Sequence, residues 1–414
     1  MTADTTGDAP ERSELHQIAL PSTGAAASPA SLAAGRRIPS LDGIRALAVV
    51  AVLFYHAAVL RGGYLGVDVF FVLSGFLITA LLSDERERTG VISLRAFWFR
   101  RAFRLLPALM IYLLAGLAAA FALKGPNDRE QLAVDAATSV LGVNNWWRII
   151  GGDQASGAWD GHLWSLSVEA QFYLLWPAVV LALPLLQRRL RWLALGAMIA
   201  GIALWRLMVM VGVIGGDIDA HSYFGTDTRA DALLVGALLA LLWRDGVLHR
   251  LPARVWAWAS GLAWLILIMT MLVSPPLEDA PRWLGYGGFT LTALVAAVAV
   301  AGPVLAPNVG IARFLAWRPV VWLGGVSYAL YLWHFPITVQ LEGWFGERFG
   351  HLPVALVALI LTAGFAWLSA LLVERPIARR RRAIERKLFR PVHAASPRRG
   401  RAVKAEPDLP QHRD

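Results

Sequence analysis

A series of apolar runs, most of them about as long as a bilayer is thick, constrains this chain more than any other feature. A helix needs roughly 20 apolar residues to cross the hydrocarbon core, since each residue adds about 1.5 Å. Hydrophobic residues fill 57% of the 414 positions and charged residues only 16%, against about 25% in soluble domains. We therefore predict an all-α polytopic membrane protein, a bundle of about ten transmembrane helices. The predicted spans are 41–60, 65–82, 103–123, 162–186, 192–214, 230–243, 252–274, 285–303, 320–341 and 353–373.

The distribution of basic residues predicts the orientation of this bundle. If the amino terminus is cytoplasmic, the inner connections carry more arginine and lysine than the outer ones, as the positive-inside rule requires. A dense basic block, RPIARRRRAIERK, follows Glu374 on the same side. We expect residues 1–38 to form a disordered cytoplasmic arm, 39–376 the transmembrane domain and 377–414 a basic cytoplasmic tail, so that both termini are cytoplasmic.

The composition also excludes several kinds of chemistry. Cysteine is absent, which excludes disulfides, thiolate metal sites and a cysteine nucleophile. The nine histidines show no metal-ligand spacing, so we predict no metal site. The net charge of +10 is concentrated at the ends of apolar runs and in the tail. Membrane topology explains that charge better than nucleic-acid binding does, and we expect a lipid bilayer and no nucleic acid as partner.

The first span, LDGIRALAVVAVLFYHAAVL, carries an arginine and a histidine inside its apolar run. Arg45 and His56 are separated by about 16 Å of helical rise and only about 20° of rotation, so they share one face. Taken singly, Arg45 is explained by a side chain that reaches back to the interface, and His56 by an interhelical hydrogen bond. Their common face favours a polar lining across the membrane.

Further polar side chains inside the spans are candidates for a site or for buried pairs. An intramembrane carboxylate is by default a functional candidate, and Glu169 lies about two turns inside its span, with Tyr173 after it. Glu169 also suits a structural pair with a neighbouring arginine. Asp68 either orients an imidazole or caps its helix. Arg229 is able to pair with Asp231, Glu169 or Asp68.

The ninth predicted span adds another polar face. Ser327, Tyr331 and His334 follow each other at i, i+4 and i+7, which places them on one side of a helix. His334 falls in the outer half and is a rival to His56 as a proton acceptor. Pro336 is expected to kink the helix beyond it.

An arginine cluster marks the start of the third span. Arg100, Arg101 and Arg104 lie within about one turn of each other at the predicted inner interface. Guanidinium groups match phosphate oxygens in a two-pronged hydrogen-bond geometry, so the cluster suits a polyphosphate group. Simple positive-inside anchoring is the alternative.

These segments together resemble the acyltransferase-3 family of bacterial integral-membrane acyltransferases. The matching segments occur in the family's order over residues 41–376: LDGIRALAVVAVLFYH, GYLGVDVFFVLSGFLIT, FRRAFRLLP, LWSLSVEAQFYLLWP, TRADALLVGALLA, SYALYLWHFPI and VERP. The resemblance implies a bacterial cytoplasmic (inner) membrane location. It also implies transfer of an acyl group, often acetyl, from cytoplasmic acyl-CoA to hydroxyls of cell-envelope carbohydrates. Arg45 and His56 match positions that the family needs, and Arg100, Arg101 and Arg104 match a functional motif.

The resemblance leads to a mechanistic hypothesis. We assign His56 as general base, because imidazole exchanges protons near neutral pH. Arg45 would orient the acyl donor, the arginine cluster would hold the phosphates of acyl-CoA, and Glu169 or Asp68 would orient His56 or bind sugar hydroxyls. The acceptor, or the residues that touch it, would be surrounded by Tyr173, Arg229, Tyr331 and His334. Transfer is either direct or through an acyl-histidine intermediate. No permanently bound cofactor is expected.

Two alternatives stay open at this point. Some family members carry a fused extracytoplasmic SGNH-type domain, whereas this sequence ends in a basic tail. It would therefore acylate its acceptor directly or act with a separate extracytoplasmic transferase. A transporter of a lipid-linked saccharide is the second candidate function, since aligned polar residues also mark substrate pathways, but no inverted repeat supports it.

Overall fold

The computed structural model describes residues 38–123, 125–151, 161–277 and 282–389. These residues are 85% helical and contain no strand, which confirms the all-α prediction. The predicted arm at 1–37 and the end of the predicted tail, 390–414, lie outside the described residues. The helices are α1 Pro39–His56, α2 Gly66–Thr89, α3 Leu94–Leu123, α4 Pro126–Val140, α5 Asn144–Ile150, α6 Trp164–Ala182, α7 Arg188–Met210, α8 Ile218–Phe224, α9 Thr226–Arg244, α10 Ala253–Val273, α11 Gly288–Leu305, α12 Ile311–Leu315, α13 Arg318–Gly325, α14 Ser327–Phe349, α15 His351–Ser369 and α16 Arg375–Leu388.

Seven of the described helices are long and apolar enough to cross a membrane, namely α2, α3, α6, α7, α10, α11 and α15. The pair α13 and α14, bent by 75° at Val326, provides an eighth span if it is counted as one. Helices α1 and α9 also occupy predicted spans, but α1 contains Asp42 and Arg45, and α9 contains several charged side chains. The count of about ten crossings and the orientation of the termini therefore stay predictions.

Several boundaries differ from the predicted ones because hydropathy does not mark every helix. Helix α3 begins at Leu94, inside the basic segment before the predicted span, and α4 and α5 form in the long connection between the third and fourth predicted spans. The ninth span breaks at Val326, whereas α14 continues through Pro336. Beyond α15 a π-helical turn, Ala370–Glu374, leads into α16, so the predicted tail begins as a helix.

Helices α2, α9 and α11 form the centre of the described bundle. In its most apolar window α2 is 78% buried and α11 is 72% buried, against 28% for α7 and for α10 at the periphery. The crossing of α2 and α9 depends on glycine: a Cβ on Gly75 would lie 1.9 Å from the Leu233 carbonyl oxygen, and a Cβ on Gly236 would lie 1.9 Å from that of Val72. This close crossing lets α9, with its charged side chains, pack against α2 in the centre of the bundle.

Candidate active site

One polar cavity lies between α1, α2, α3, α6 and α14, and we call it the arginine cavity. It encloses about 600 Å³ of space free of protein atoms, part of it open to the outside. Arg45, Arg101 and Arg104 line it, together with Glu169 and Tyr173. Guanidinium groups from two different helices thus converge on one space, and such a concentration of positive charge attracts an anion.

The carboxylate of Glu169 is held by a hydroxyl group. The Tyr173 hydroxyl donates to Glu169 Oε2 over 3.0 Å and is also hydrogen-bonded to Ser74 Oγ on α2. The guanidinium of Arg101 lies 5.4 Å from the centre of the Tyr173 ring, within the range of a cation–π contact. Glu169 thus belongs to the wall of the arginine cavity, on the same side as Arg101.

The predicted arginine cluster divides into two parts. Arg101 and Arg104 line the arginine cavity, whereas Arg100 is not among its lining residues. Arg100 instead makes ion pairs with Glu85 on α2, at 2.8 Å, and with Glu385 on α16, at 3.1 Å. Arg100 therefore joins three helices in this structure, which corrects its expected place beside the other two guanidinium groups. The three residues lie within an arc of about 100° on α3, with Arg100 at one edge, and there its side chain turns toward Glu85 and Glu385.

A second cavity, which we call the histidine cavity, lies beyond the first. It has about 440 Å³ of space free of protein atoms. Its polar wall includes His56 and His162, and its remaining wall is rich in aromatic rings. Those rings belong to Tyr55, Tyr64, Trp164, Tyr223, Phe224 and Tyr331.

Histidines from three separate segments meet at this cavity. The ring centre of His334 lies 5.3 Å from that of His56 and 5.1 Å from that of His162. His334 is fully buried, and its Nδ1 is 2.5 Å from the Tyr331 carbonyl oxygen. A carbonyl can only accept, so Nδ1 donates and Nε2, which has no hydrogen-bond partner among the described residues, carries a lone pair. His334 lies behind the cavity wall, next to the imidazole of His56.

His162 is a site residue that the sequence analysis did not single out. It precedes Glu169 by seven residues, so the two would share a face if the helix began early enough. In the structure α6 begins at Trp164, and the two side chains line different cavities. The i, i+7 spacing was the signal that could have identified His162.

Tyr331 and Val67 separate the two cavities, since both residues line each of them. The Tyr331 hydroxyl donates to the His162 carbonyl oxygen at 2.9 Å and lies 2.6 Å from Ser165 Oγ. Arg45 and His56 do belong to one continuous helix, α1, but each serves a different cavity. The polar stripe expected along α1 is therefore interrupted by a tyrosine.

Asp68 and Arg229 form a buried ion pair that lines neither cavity but lies against Tyr223 in the wall of the histidine cavity. Arg229 Nη2 lies 2.8 Å from Asp68 Oδ1, and each side chain is only 1% exposed. Asp231 pairs instead with Arg206 at 3.0 Å, and the guanidinium of Arg229 lies 3.7 Å from the centre of the Phe289 ring. Asp68 therefore neither orients His56 nor makes a side-chain helix cap here, because its carboxylate is engaged by Arg229. The predicted acceptor role of Asp68 and Arg229 gains no support from this placement.

Within the described residues, no group of three or more His, Cys, Asp or Glu side chains is arranged to hold a metal ion. The histidines around His334 are packed among aromatic rings, without a carboxylate between them.

Comparison with known proteins identifies relatives of this chain by sequence. The O-acetyltransferase OatA of Staphylococcus aureus, in strains NCTC 8325 and COL, is 36% identical over 360 residues, which is 83% of this chain. The chain spans only 58% of the length of these relatives. No solved structure matches it. The acyltransferase-3 family model, described as an acyltransferase domain, matches residues 38–372, and the chain therefore belongs to this family of acyltransferases.

Proposed function

We propose that this protein is a membrane O-acetyltransferase that moves an acetyl group from cytoplasmic acetyl-CoA to a hydroxyl of a cell-envelope carbohydrate. In this proposal the arginine cavity holds the donor and the histidine cavity holds the acceptor. The observation that carries it is the meeting of the two cavities at Tyr331 and Val67. An anion-binding space and a space with proton-accepting side chains thus share one wall.

The donor assignment rests on charge. Acyl-CoA carries phosphate groups, and arginine binds phosphate through paired N–H groups. Arg101 and Arg104 lie at the start of α3, on the side that positive-inside counting predicts to be cytoplasmic, and Arg45 faces the same cavity. Glu169 and Tyr173 supply hydrogen-bonding groups deeper in the wall, where they would position the thioester end.

The acceptor assignment rests on the aromatic wall and on the relatives. Flat aromatic rings offer apolar faces against which a sugar ring can pack, and their hydroxyl groups can hydrogen-bond to it. Tyr55, Tyr64 and Tyr223 provide such groups in the histidine cavity. The relatives named as O-acetyltransferases support transfer to oxygen.

His56 is the general base in this proposal. It would take the proton of the attacking hydroxyl, while His334, whose ring centre lies 5.3 Å away and whose Nε2 has no partner among the described residues, would accept a hydrogen bond from the His56 ring and hold it in place. Glu169 cannot serve as that orienting group, since it lies on the far side of Tyr331. General-base catalysis contributes about 10²–10⁴-fold, which sets the loss expected for His56→Ala.

The test uses permeabilised membranes of the source bacterium with its own copy of the gene deleted, which contain the native glycans. With radiolabelled acetyl-CoA, membranes carrying the protein should incorporate alkali-labile acetyl ester and release CoA thiol, and His56→Ala should lose about 10²–10⁴-fold of that rate. Binding of acetyl-CoA should persist in the variant. Absence of both ester formation and acetyl-CoA binding in the wild type would refute the proposal and favour a saccharide transporter, which consumes no acetyl-CoA.

A further inference from the structure

His162 is a buried histidine whose side chain has no assigned task. It is 2% exposed, it lines the histidine cavity, and neither ring nitrogen makes a hydrogen bond within the described part of the chain. We propose that His162 is a second catalytic residue, which donates an N–H hydrogen bond to the acyl oxygen as His56 takes the proton of the acceptor. The inference rests on the proposed acyl transfer and adds the group that stabilises the oxyanion.

The side chains around His162 give no structural reason for a polar ring at this buried position. It stacks on Phe335, with ring centres 5.0 Å apart, and meets Tyr112 edge-on at 5.8 Å. The Leu332 backbone lies near the ring, but neither ring nitrogen has a hydrogen-bond partner by distance and angle within the described residues. Burying a polar group without a partner is unfavourable, and a phenylalanine would fill the same space without that cost. A ligand atom in the cavity supplies the missing partner.

The backbone of His162 is held firmly, as a donor of this kind requires. Its carbonyl oxygen accepts from the Tyr331 hydroxyl at 2.9 Å and from Ser165 Oγ at 3.3 Å. Tyr331 is the residue between the two cavities, so His162 lies where an acyl group would enter the histidine cavity. A donor that is fixed before the reaction stabilises developing charge without reorganisation.

Neither His334 nor His56 has an N–H available to donate to the acyl oxygen in this proposal. A neutral imidazole has one N–H and one lone pair. The N–H of His334 is used by the Tyr331 carbonyl, so His334 offers only a lone pair. His56 uses its own lone pair as the base. Within the described residues neither ring nitrogen of His162 has a hydrogen-bond partner, so its N–H remains available to a substrate atom.

The step balances without a further reactant. The acceptor O–H bond breaks, its proton goes to His56, and the oxygen forms a bond to the acyl carbon. The C=O π electrons move to the acyl oxygen, where the His162 N–H holds the oxyanion. When the C=O bond re-forms, the C–S bond breaks and the thiolate takes the proton from His56, which leaves ester and thiol.

Three substitutions at His162 test this role with radiolabelled acetyl-CoA in the permeabilised membranes described above. His162→Phe keeps a ring but has no donor, whereas His162→Asn and His162→Gln place an amide N–H near the former ring nitrogens and cannot act as bases. We expect His162→Phe to lose about 10²–10³-fold of the rate at saturating acetyl-CoA, with its KM changed less than about threefold. The better amide variant should keep at least about a tenth of the wild-type rate. His351→Phe, at an exposed histidine, is the control.

Each other result overturns the proposal. Full activity of His162→Phe would mean that the ring touches no reacting atom. Amide variants as inactive as His162→Phe, with unchanged melting temperatures in detergent, would mean that His162 acts as a base. A phenylalanine variant that melts early but is rescued by neither amide would show a packing role. Failure of the wild type both to form ester and to bind acetyl-CoA would refute the acyltransferase proposal itself, which separates the two failures.

Discussion

The buried pair of Asp68 and Arg229 allows a quantitative prediction about stability. The two groups are 2.8 Å apart at 1% exposure, and Arg229 also stacks over Phe289 at 3.7 Å. Arg229→Met would leave the Asp68 carboxylate without its cation in the centre of the bundle. Breaking a buried pair in this way typically costs about 3–5 kcal/mol, so we expect the free energy of unfolding to fall by about that amount.

The measurement is unfolding of the purified protein in detergent, followed by tryptophan fluorescence, for a double-mutant cycle. Asp68→Leu should be as damaging as Arg229→Met, since it leaves the cation unpaired. The double variant should regain most of the loss, because a buried pair replaced by apolar groups is often neutral. As a control, Arg95→Gln removes a charge at an exposed position and should change the free energy of unfolding by at most about 0.5 kcal/mol.

Two results would refute this reasoning. A loss below about 1 kcal/mol for Arg229→Met would mean that Asp68 is not charged or is solvated by water. Additive losses in the double variant would mean that the two side chains are not coupled.

Two further predictions concern the donor site and the helix crossing. In steady-state kinetics, Arg101→Gln and Arg104→Gln should each raise the KM for acetyl-CoA about 10–100-fold, because each loses a hydrogen bond to a charged group. Arg100→Gln should leave this KM nearly unchanged. An equal increase for Arg100→Gln would contradict the division of the cluster. Gly236→Ala should lower the free energy of unfolding by about 1–3 kcal/mol or more, because its Cβ would meet the Val72 carbonyl oxygen. Gly261→Ala, at a glycine with open space around it, should have no such effect. Equal melting temperatures of the two variants would exclude the close crossing of α2 and α9.

Much of the secondary structure can be predicted from the sequence because hydropathy and helix periodicity are local properties. Each predicted span contains helix, including α1 and α9 with their charged residues, but the ninth is divided between α13 and α14. The shared face of Arg45 and His56 follows from the fixed rise and rotation of a helix. The order of the motifs also identified the family, which the comparison confirmed.

The sequence did not show which buried charged side chains pair with each other. Arg229 had Asp231, Glu169 and Asp68 as possible partners, and only the packing of α9 against α2 brings Asp68 to it. Asp231 pairs with Arg206, an arginine inside the fifth predicted span that the sequence analysis did not single out. Lipid-facing and buried helices are both apolar in a membrane protein, so hydropathy does not reveal which helices are neighbours.

The sequence by itself thus determined a helical membrane bundle, the polar face of α1 and the family. Only the tertiary structure separated that face into an arginine cavity and a histidine cavity, placed Arg100 outside the first and brought His162 into the second. The physical reason is that a cavity is formed by side chains from several helices. Its lining depends on helix crossings such as that at Gly75 and Gly236, where contacts far apart in sequence set the geometry.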